Sequence, residues 1–443
     1  MRVNGRARGD GNQLLVHTEQ VYANCPKYIQ TRTYVDHSPT TSRTTLVTGQ
    51  LTAEQQRWIA AADTFFIAIA GAGLAGLTAA RELRRFGYDG VISMVGAERH
   101  RPYRRPPLSK EYLVDRGADV GLTGTDELGA TWLLGHAATG LDLAGRRLHR
   151  GALPPVAFDG LVIATGARAR TLPGIGGLRG VVTLRGLDDA RALRAALGTR
   201  PRVVIAGAGF LGSELAATLR GLDLRVTLVE SDQVPLRRPL GERLGAVIAD
   251  LHRAHGVDLR LGRRVVTATG SGQVEHVHLD DGTVLPCDLL VVALGAEPEI
   301  DWLRGGGLRL DRGVVVDHLG LAAPQVVAAG DVARRPSVLL GGELIRVEHY
   351  SNAVQQGAHA ARSLLGIAAP FDPVPSFWCH LYGHRLQSVG FTGAGYQLRL
   401  INLEPDGRFL AEYHRDGRVV GAVTAGFVRH LTSYHHLLTN EYA

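Results

Sequence analysis

Two copies of one glycine pattern constrain the fold of this 443-residue chain more than any other feature of its sequence. The copies, GAGLAG at 71–76 and GAGFLG at 207–212, both have the form GxGxxG. Each follows a short apolar stretch that favours a β-strand and precedes a stretch that favours a helix, and a second apolar stretch comes after that helix. Two βαβ units are therefore predicted, and with them an α/β fold with parallel sheets.

The spacing of these glycines indicates that each unit binds a dinucleotide. The first glycine makes a tight turn, the second lets the backbone approach a pyrophosphate, and the third lets the helix pack on the strand. Backbone N–H groups at the start of the helix then face the phosphates. Two such sites in one chain are typical of a flavin and a nicotinamide that exchange a hydride.

An acidic residue in the second unit predicts which nicotinamide cofactor is used. Glu230 ends the second predicted strand about 20 residues after Gly207, where a carboxylate hydrogen-bonds the adenosine ribose hydroxyls. A 2′-phosphate about 4 Å from it would cost from about 1 kcal/mol in water to about 4 kcal/mol at an intermediate dielectric. We therefore expect NADH rather than NADPH, and the alternative is an acid at a solvated strand end.

Composition narrows the class of protein further. The net charge of +7 is spread without a basic run of five residues, so we expect no nucleic acid and a modest preference for acidic partners. The three cysteines, Cys25, Cys287 and Cys379, form no CxxC or Cys/His cluster, so no metal site is predicted. No uninterrupted apolar stretch reaches the length of a membrane span, which favours a cytoplasmic protein without a membrane partner.

Four further motifs resemble the FAD-dependent ferredoxin reductases, the NADH-driven partners of Rieske dioxygenases and cytochromes P450. These motifs are PYRRPPLSK at 102–110, LVIATGAR at 161–168, LVVALG at 290–295 and AAGD at 328–331. The resemblance covers about residues 66 to 443 and implies an FAD domain interrupted by an NAD domain, then a C-terminal α+β domain that meets the flavin ring. The implied bounds are 66–175 with 300–336 for the FAD domain, 176–299 for the NAD domain and 337–443 for the last domain.

The resemblance also implies roles for single residues. Lys110 should lie near the flavin N5, where an ammonium group favours the negative charge of the reduced ring, and Glu214 should face it when NADH docks. Arg168 should approach the phosphates, and Asp331 should hydrogen-bond the ribityl chain. The full set of candidate cofactor-binding residues is Gly71, Gly73, Ala75, Gly76, Glu98, Lys110, Ala138, Arg168, Gly330, Asp331, Tyr350, Gly207, Gly209, Gly212, Glu230 and Gly295.

The use of lysine supports a special role for Lys110. Of the 49 lysines and arginines only Lys27 and Lys110 are lysine. Lysine presents a compact point charge, unlike the planar fork of arginine, so the two are not interchangeable at a tight site. The alternative is a surface lysine without a role, and for Glu214 it is an exposed acid at the start of a helix.

Three departures from the family pattern fall in the same regions. Where the family has an acid directly after Val-Gly this chain has Ala97, and Glu98 stands one position later as the candidate for the ribose. Tyr350 stands where many members have tryptophan. Cys379-His380-Leu381 replaces a common Ser-Asp-Gln, near the expected flavin and partner face.

The distribution of cysteines separates this chain from related enzymes. None lies between Gly71 and Leu285, where enzymes like glutathione and thioredoxin reductase carry a dithiol and coenzyme A disulfide reductases or NADH oxidases carry one cysteine. We therefore expect an NADH:ferredoxin oxidoreductase that passes single electrons to an acidic iron–sulfur protein in a transient complex. The alternatives are reduction of rubredoxin or another small acceptor, and an FAD- and NADH-binding signalling module like the relatives of apoptosis-inducing factor.

The first 65 residues precede the region of resemblance. The stretches 21–30 and 62–68 resemble a fragment of the pyridoxamine-phosphate-oxidase-like split barrels, over about residues 12–68. So short a segment supplies too few strands for a complete barrel. Three interpretations stay open: a remnant of a fusion, an appendage that docks a partner, or a mistaken start that joins two neighbouring genes.

Overall fold

The computed structural model describes residues 2–10, 13–22, 65–175 and 177–440. Strands β1 (Arg2–Asp10) and β2 (Gln13–Tyr22) pair antiparallel. The rest of the predicted N-terminal appendage, with Cys25 and Lys27, lies outside the described residues. The split-barrel interpretation of that segment therefore stays a prediction.

The first glycine unit opens the next stretch of chain, which ends before residue 176. Its elements are β3 (Ile67–Ala70), α1 (Leu74–Arg85), β4 (Ile92–Gly96), a 3₁₀ turn (Pro106–Ser109), α2 (Glu111–Val114), β5 (Thr131–Leu134), β6 (Gly140–Asp142), β7 (Arg147–Arg150), β8 (Leu153–Ala157), β9 (Gly160–Ile163) and β10 (Ala167–Ala169). Strands β6, β7 and β8 form a small antiparallel sheet. The strand predicted before the first glycine loop and the strand predicted after its helix are present as β3 and β4.

The second glycine unit lies in the stretch from 177 to 299. Its elements are β11 (Val181–Thr183), α3 (Leu187–Leu197), β12 (Val203–Ala206), α4 (Phe210–Gly221), β13 (Val226–Glu230), α5 (Arg237–Ala254), β14 (Asp258–Leu261), β15 (Val265–Thr269), β16 (His276–Leu279), β17 (Val284–Pro286), β18 (Leu289–Val292) and β19 (Ala296–Pro298). Five of these strands form a wholly parallel sheet in the order β11-β18-β12-β13-β14.

The last stretch completes the first sheet and adds an antiparallel one. Its elements are a 3₁₀ turn (Asp301–Leu303), β20 (Val314–Val315), β21 (Leu321–Ala323), β22 (Val326–Ala328), a 3₁₀ turn (Gly330–Val332), β23 (Ala333–Ser337), β24 (Glu343–Ile345), α6 (Tyr350–Leu364), β25 (Ser376–Leu381), β26 (His384–Gly390), β27 (Gln397–Leu403), β28 (Phe409–Arg415), β29 (Arg418–Ala425), a 3₁₀ turn (Val428–His430) and α7 (Leu431–Asn440). The sheet of the first unit has the order β21-β22-β9-β3-β4-β5, so the chain leaves it after β9 and returns at β21.

Burial explains why the central strands read as unbroken apolar runs. All four residues are buried in each of β3, β9, β12 and β18. Parallel sheets are covered on both faces, so their strands lack the alternation of polar and apolar residues. In the antiparallel sheet, ordered β25-β26-β29-β28-β27, the edge strand β27 does alternate, because one of its faces meets solvent.

Helix α5 joins the second unit to the antiparallel sheet through a shared apolar core. Leu240 and Leu244 of α5 are fully buried in one cluster with Phe409 and Tyr413 of β28. The Tyr413 hydroxyl donates to the Leu240 carbonyl oxygen at 2.8 Å. None of the helices in the described part of the chain has the length and apolar character needed to cross a membrane.

Candidate functional site

The first glycine loop has one open position between two crowded ones. Gly71 has φ +121°, and a Cβ there would lie 2.0 Å from the Ala164 carbonyl oxygen. A Cβ on Gly76 would lie 2.0 Å from the Gly71 carbonyl oxygen. At Gly73, just before α1, a Cβ would meet no atom within 4 Å. The loop therefore leaves space at the start of α1, where backbone N–H groups bind anions.

The second loop repeats this arrangement. Gly207 has φ +101° and a Cβ there would lie 2.5 Å from the Ala293 carbonyl oxygen, while a Cβ on Gly212 would lie 1.8 Å from that of Gly207. Gly209 precedes α4 and again has no atom within 4 Å of an added Cβ. Both glycine loops therefore have room for a pyrophosphate, because in each loop only the middle glycine faces open space.

The AAGD motif meets the first glycine helix. Gly330 has φ +78°, and a Cβ there would lie 3.0 Å from the Cβ of Ala75. Its N–H donates to Gln356 Oε1 of α6 at 2.7 Å. The neighbouring Asp331 pairs with Arg185 at 2.6 Å. Asp331 thus lies close to the start of α1 with its charge paired by an arginine, and its hydrogen bond to the ribityl chain stays a prediction.

A buried ion pair joins the two dinucleotide-binding units. Lys110 Nζ lies 2.8 Å from Glu214 Oε2, and the side chains are 15% and 10% exposed. Lys110 follows the 3₁₀ turn of the PPLSK motif, whereas Glu214 lies in the first turns of α4. The two residues that the sequence assigned to the reaction centre are therefore in contact.

Two further donors bind the same carboxylate, and neither was predicted. The Ser109 hydroxyl donates to Glu214 Oε2 at 2.9 Å, and the His380 backbone N–H of β25 donates to Oε1 at 2.9 Å. The Thr218 hydroxyl of α4 also donates to the Ser109 carbonyl oxygen at 2.8 Å. A backbone donor leaves no signature in residue identity, so the sequence offered no signal for His380.

Glu230 closes the second glycine loop. Its Oε2 accepts the Ala208 N–H at 2.7 Å, and its Oε1 accepts the N–H of Asp232 at 3.0 Å. The carboxylate is half-buried at the end of β13, next to the open position at Gly209. The adjoining Gly295 has φ +88° and no atom within 4 Å of an added Cβ, so the loop after β18 is open as well.

Other predicted residues are engaged within the protein. Glu98 accepts hydrogen bonds from the Tyr103 hydroxyl and the Arg105 guanidinium. Burial raises the pKa of Tyr103, so the phenol stays protonated and remains a donor to that carboxylate. Ala138 is half-buried and packs against the core beneath the first sheet. The role of Glu98 toward the ribose and the cofactor contact of Ala138 stay predictions.

Arg168 lies on a cluster of three acids. It pairs with Asp301 at 2.8 Å, Glu299 at 3.1 Å and Glu297 at 3.3 Å. The guanidinium is 43% exposed, and these acids lie on and just after β19. In this arrangement it binds carboxylates rather than the glycine loop, and its predicted approach to the phosphates stays a prediction.

Tyr350 and its neighbours form an aromatic group at the start of α6. The ring centroids of Tyr350 and Trp378 are 5.8 Å apart in an edge-to-face arrangement. Burial lowers the pKa of His349, the N-cap residue of α6, to about 4, so this imidazole is neutral at pH 7. The aromatic group brings the first residue of α6 against β25, the strand that also contacts Glu214.

The free thiols of the described residues are buried. Burial raises the pKa of Cys287 to about 11 and raises that of Cys379 well above its usual range. Cys379 is 1% exposed beside Glu214 and Lys110. Because the thiolate is the reactive form, neither side chain has the environment of a redox nucleophile.

Comparison with known proteins places this geometry in a family. Residues 65–357 match the family model described as pyridine nucleotide-disulphide oxidoreductase. The ferredoxin--NAD(+) reductase component of the biphenyl dioxygenase system of Paraburkholderia xenovorans is 40% identical over 335 residues, which are 73% of this chain and 80% of that protein. Rhodocoxin reductase of Rhodococcus erythropolis is 36% identical, over 74% of this chain and 78% of its own.

Solved structures agree with the sequence relatives. The covalent putidaredoxin reductase–putidaredoxin complex contains a chain that is 31% identical, with a TM-score of 0.80 over 85% of this chain and 93% of that one. The predicted fold class and the FAD and NAD(H) pair are thereby confirmed. The chain therefore belongs to the pyridine nucleotide-disulphide oxidoreductase family, in the branch of FAD-dependent ferredoxin reductases that its motifs indicated.

Proposed function

We propose that this protein oxidises NADH and passes the electrons singly to an acidic ferredoxin that feeds a Rieske dioxygenase or a cytochrome P450. The observation that carries the proposal is the buried pair of Lys110 and Glu214, which joins the two dinucleotide-binding units at one point. The biphenyl dioxygenase component and rhodocoxin reductase, both named as reductases, support the same activity. When bound, FAD would supply the chemistry that links the two-electron oxidation of NADH to single-electron transfer.

The glycine loops hold the two dinucleotides in this proposal. The N–H groups at the start of α1 would bind the FAD pyrophosphate at Gly73, and those at the start of α4 would bind the NADH pyrophosphate at Gly209. Asp331 would bind the ribityl chain, and Tyr350 would supply backbone contacts to the flavin. Glu230 binds the adenosine ribose of NADH, so a 2′-phosphate would be repelled there.

Lys110 supplies positive charge toward the reacting end of the flavin. Preorganised charge in a site that excludes water favours the reduced cofactor without reorganising at the moment of reaction. Glu214 holds the ammonium group at 2.8 Å, while Ser109 and the His380 N–H hold the carboxylate itself. Glu214 is thus a positioning residue, because in this structure it acts through Lys110.

The electrons leave the protein without a thiol relay in this proposal. Both described cysteines are buried thiols with raised pKa values, which keeps them protonated. Their unpaired state also fits a cytoplasmic location, where disulfides are rare. A positively charged chain is suited to a transient complex with an acidic iron–sulfur protein.

The decisive experiment measures half-reactions separately. NADH is added to the anaerobic FAD-loaded protein, and bleaching of the flavin band is followed by stopped flow. Cytochrome c reduction is then measured with a panel of ferredoxins and with rubredoxin. We expect rapid bleaching by NADH, slow bleaching by NADPH, and cytochrome c reduction that depends on a ferredoxin.

Other outcomes select the alternatives. Reduction that depends on rubredoxin alone would replace the ferredoxin in the proposal. A long-lived complex with NADH that turns over slowly with every acceptor would make the protein a signalling module. Equal kcat/KM for NADH and NADPH would remove the role given to Glu230.

A further inference from the structure

A cavity lies apart from the glycine loops. Its volume is about 380 Å³, and it is bounded by the loop after β4, the segment around α2, and helix α3. The buried residues Tyr103, Tyr112, Val120 and Leu187 form part of its lining. The volume falls in the range of small-molecule sites, and the lining combines these side chains with polar groups.

Positive charge dominates this cavity. Among the described residues its lining holds four guanidinium groups, Arg101, Arg116, Arg191 and Arg194, and one carboxylate, Asp119. Asp119 already accepts the Gly121 N–H at 2.8 Å. Arg191 and Arg194 lie three residues apart on α3, so they point from one face of the helix.

Aromatic rings orient two of these arginines without neutralising them. The Arg194 guanidinium lies 4.2 Å from the centroid of the Tyr112 ring, and it donates to the Tyr112 carbonyl oxygen at 3.3 Å. The Arg101 guanidinium lies 4.2 Å from the centroid of the Trp132 ring. A cation held over a ring keeps its charge for another partner, and side chains that are already oriented lose less entropy when a ligand binds.

Nearby acids compensate little of this charge. Arg101 pairs with Asp126 at 3.4 Å and Arg191 with Asp188 at 3.0 Å, but those carboxylates are 89% and 70% exposed. Exposed pairs of this kind contribute little, and water screens them. Arg116 has no acidic partner within the described ranges.

We propose that this cavity binds a small phosphorylated metabolite. Guanidinium groups match phosphate oxygens with paired N–H donors, and here they converge on a concave space from three segments of the chain. The Tyr103 and Tyr112 side chains of the lining would contact the organic part. None of the four arginines is a candidate for FAD or NADH binding, so this inference stands apart from the proposed function.

The test uses inorganic pyrophosphate as the probe and the FAD-loaded protein saturated with NAD+, so that both dinucleotide-binding sites are filled. Isothermal titration calorimetry compares the parent with Arg116→Gln and Arg194→Gln. The matched control is Arg147→Gln, an exposed arginine of β7 outside the cavity. We expect pyrophosphate to bind the parent and the control equally, and each cavity variant at least tenfold more weakly.

A second measurement guards against misfolding. Pyrophosphate should raise the thermal midpoint of the parent and the control but not of the cavity variants, because a ligand stabilises the state it binds. Arg116 is exposed and unpaired in the described structure, so its variant tests the site without disturbing a folded contact. The rate of flavin reduction by NADH should be the same in all four proteins, which separates this test from that of the proposed function.

Two results would overturn the proposal. Equal binding to all four proteins, or none to the parent, would mean that the arginines form an ordinary solvated surface. Loss of ferredoxin binding in the cavity variants without any pyrophosphate binding would assign the cavity to a protein partner.

Discussion

Glu214 accepts three hydrogen bonds from within the protein, and the donors come from separate segments of the chain. Lys110 and Ser109 precede α2, while the His380 N–H belongs to β25. Breaking a buried ion pair by removing one partner leaves the other charge uncompensated, which typically costs 3–5 kcal/mol. When the lysine is removed, the Ser109 hydroxyl and the His380 N–H still donate to the carboxylate. We therefore expect the substitution to lower the reaction rate more than the stability of the fold.

Replacing Lys110 with methionine should therefore slow the reaction and spare the fold. We expect the rate of anaerobic flavin reduction by NADH to fall about 100-fold, the typical effect of removing one preorganised charge or donor. FAD content should be unchanged. Glu111→Gln, which neutralises the exposed neighbouring residue, is the matched control. An unchanged rate in Lys110→Met would contradict the role of the ammonium group.

A buried histidine links stability to pH. His252 is fully buried, and its Nδ1 lies 2.7 Å from the Tyr382 hydroxyl. Burial, and to a smaller extent the charge of the nearby His255, lowers the pKa of His252 to about 4. The ordinary value is about 6.5, so the unfolded chain takes up this proton first as pH falls. Stability from the neutral imidazole is therefore present above pH 6.5 and is lost progressively down to pH 4, by about 3 kcal/mol.

The pH effect can be measured by difference. Denaturant unfolding of the parent at pH 7 and at pH 4.5 is compared with that of His252→Gln, whose amide can still bond Tyr382 but does not titrate in this range. The parent should lose about 2–3 kcal/mol more than the variant over this interval. His276→Gln, at an exposed position on β16, should behave as the parent does. Equal losses in the parent and His252→Gln would rule out the effect.

At the scale of elements, the three glycines within each strand–loop–helix unit have different surroundings. The first and third glycines lie against backbone oxygens, while the middle one faces open space at the helix start. One substitution should therefore have opposite consequences at neighbouring positions of the same loop. This contrast separates a binding effect from a folding effect without changing the chemistry of the mutation.

Alanine at Gly209 and at Gly212 tests this contrast. Gly209 has φ −72°, which alanine adopts freely, so Gly209→Ala should keep its stability but raise KM for NADH about tenfold, equivalent to about 1.4 kcal/mol. Gly212→Ala places a Cβ 1.8 Å from the Gly207 carbonyl oxygen and should destabilise the fold by about 1–3 kcal/mol.

The first unit provides the control for that experiment. Gly73→Ala fills the equivalent open position before α1 and should weaken FAD retention while leaving KM for NADH unchanged in the FAD-loaded fraction. KM is measured in steady state and FAD retention by dialysis. If Gly73→Ala raised KM for NADH and Gly209→Ala released FAD, the two units would have the reverse assignment.

The glycine units were predictable because local sequence and local structure agree in them. Predicted strands before the loops appear as β3 and β12, and Glu230 ends β13 as expected. The contact of Lys110 with Glu214 followed from the family resemblance. The His380 N–H could not be predicted, since any residue at that position would donate it, and the pairing of α5 with β28 depends on contacts far apart in sequence.

At the scale of the whole molecule, α5 fastens the second dinucleotide-binding unit to the antiparallel sheet. A turn at Gly241, with φ +79°, interrupts the helix, and the Ala394 N–H donates to the Arg238 carbonyl oxygen at 3.2 Å. Leu240 and Tyr413 are both fully buried in the shared core. One apolar cluster therefore stabilises both the second dinucleotide-binding unit and the antiparallel sheet.

A smaller side chain in that core should lower the stability of the second dinucleotide-binding unit and of the antiparallel sheet together. Leu240→Ala removes a fully buried side chain and should lower the free energy of unfolding by about 2–5 kcal/mol. Denaturation is followed by tryptophan and by flavin fluorescence, and both midpoints should shift equally. Leu403→Ala, at a 45% exposed position of β27, should change stability by less than about 0.5 kcal/mol. A shift confined to one signal would mean that the unit and the sheet unfold independently.

The contact between Glu214 and the His380 N–H also limits how such reductases can be recombined. A chimaera that exchanged only the second dinucleotide-binding unit would bring its own acid, but that acid must meet a lysine and a strand inherited from the other parent. Because the strand contributes main-chain N–H, the match depends on where β25 lies and not on which residue it carries. Crossover points should therefore keep β25 with the unit that contains Glu214, so that both are inherited from one parent.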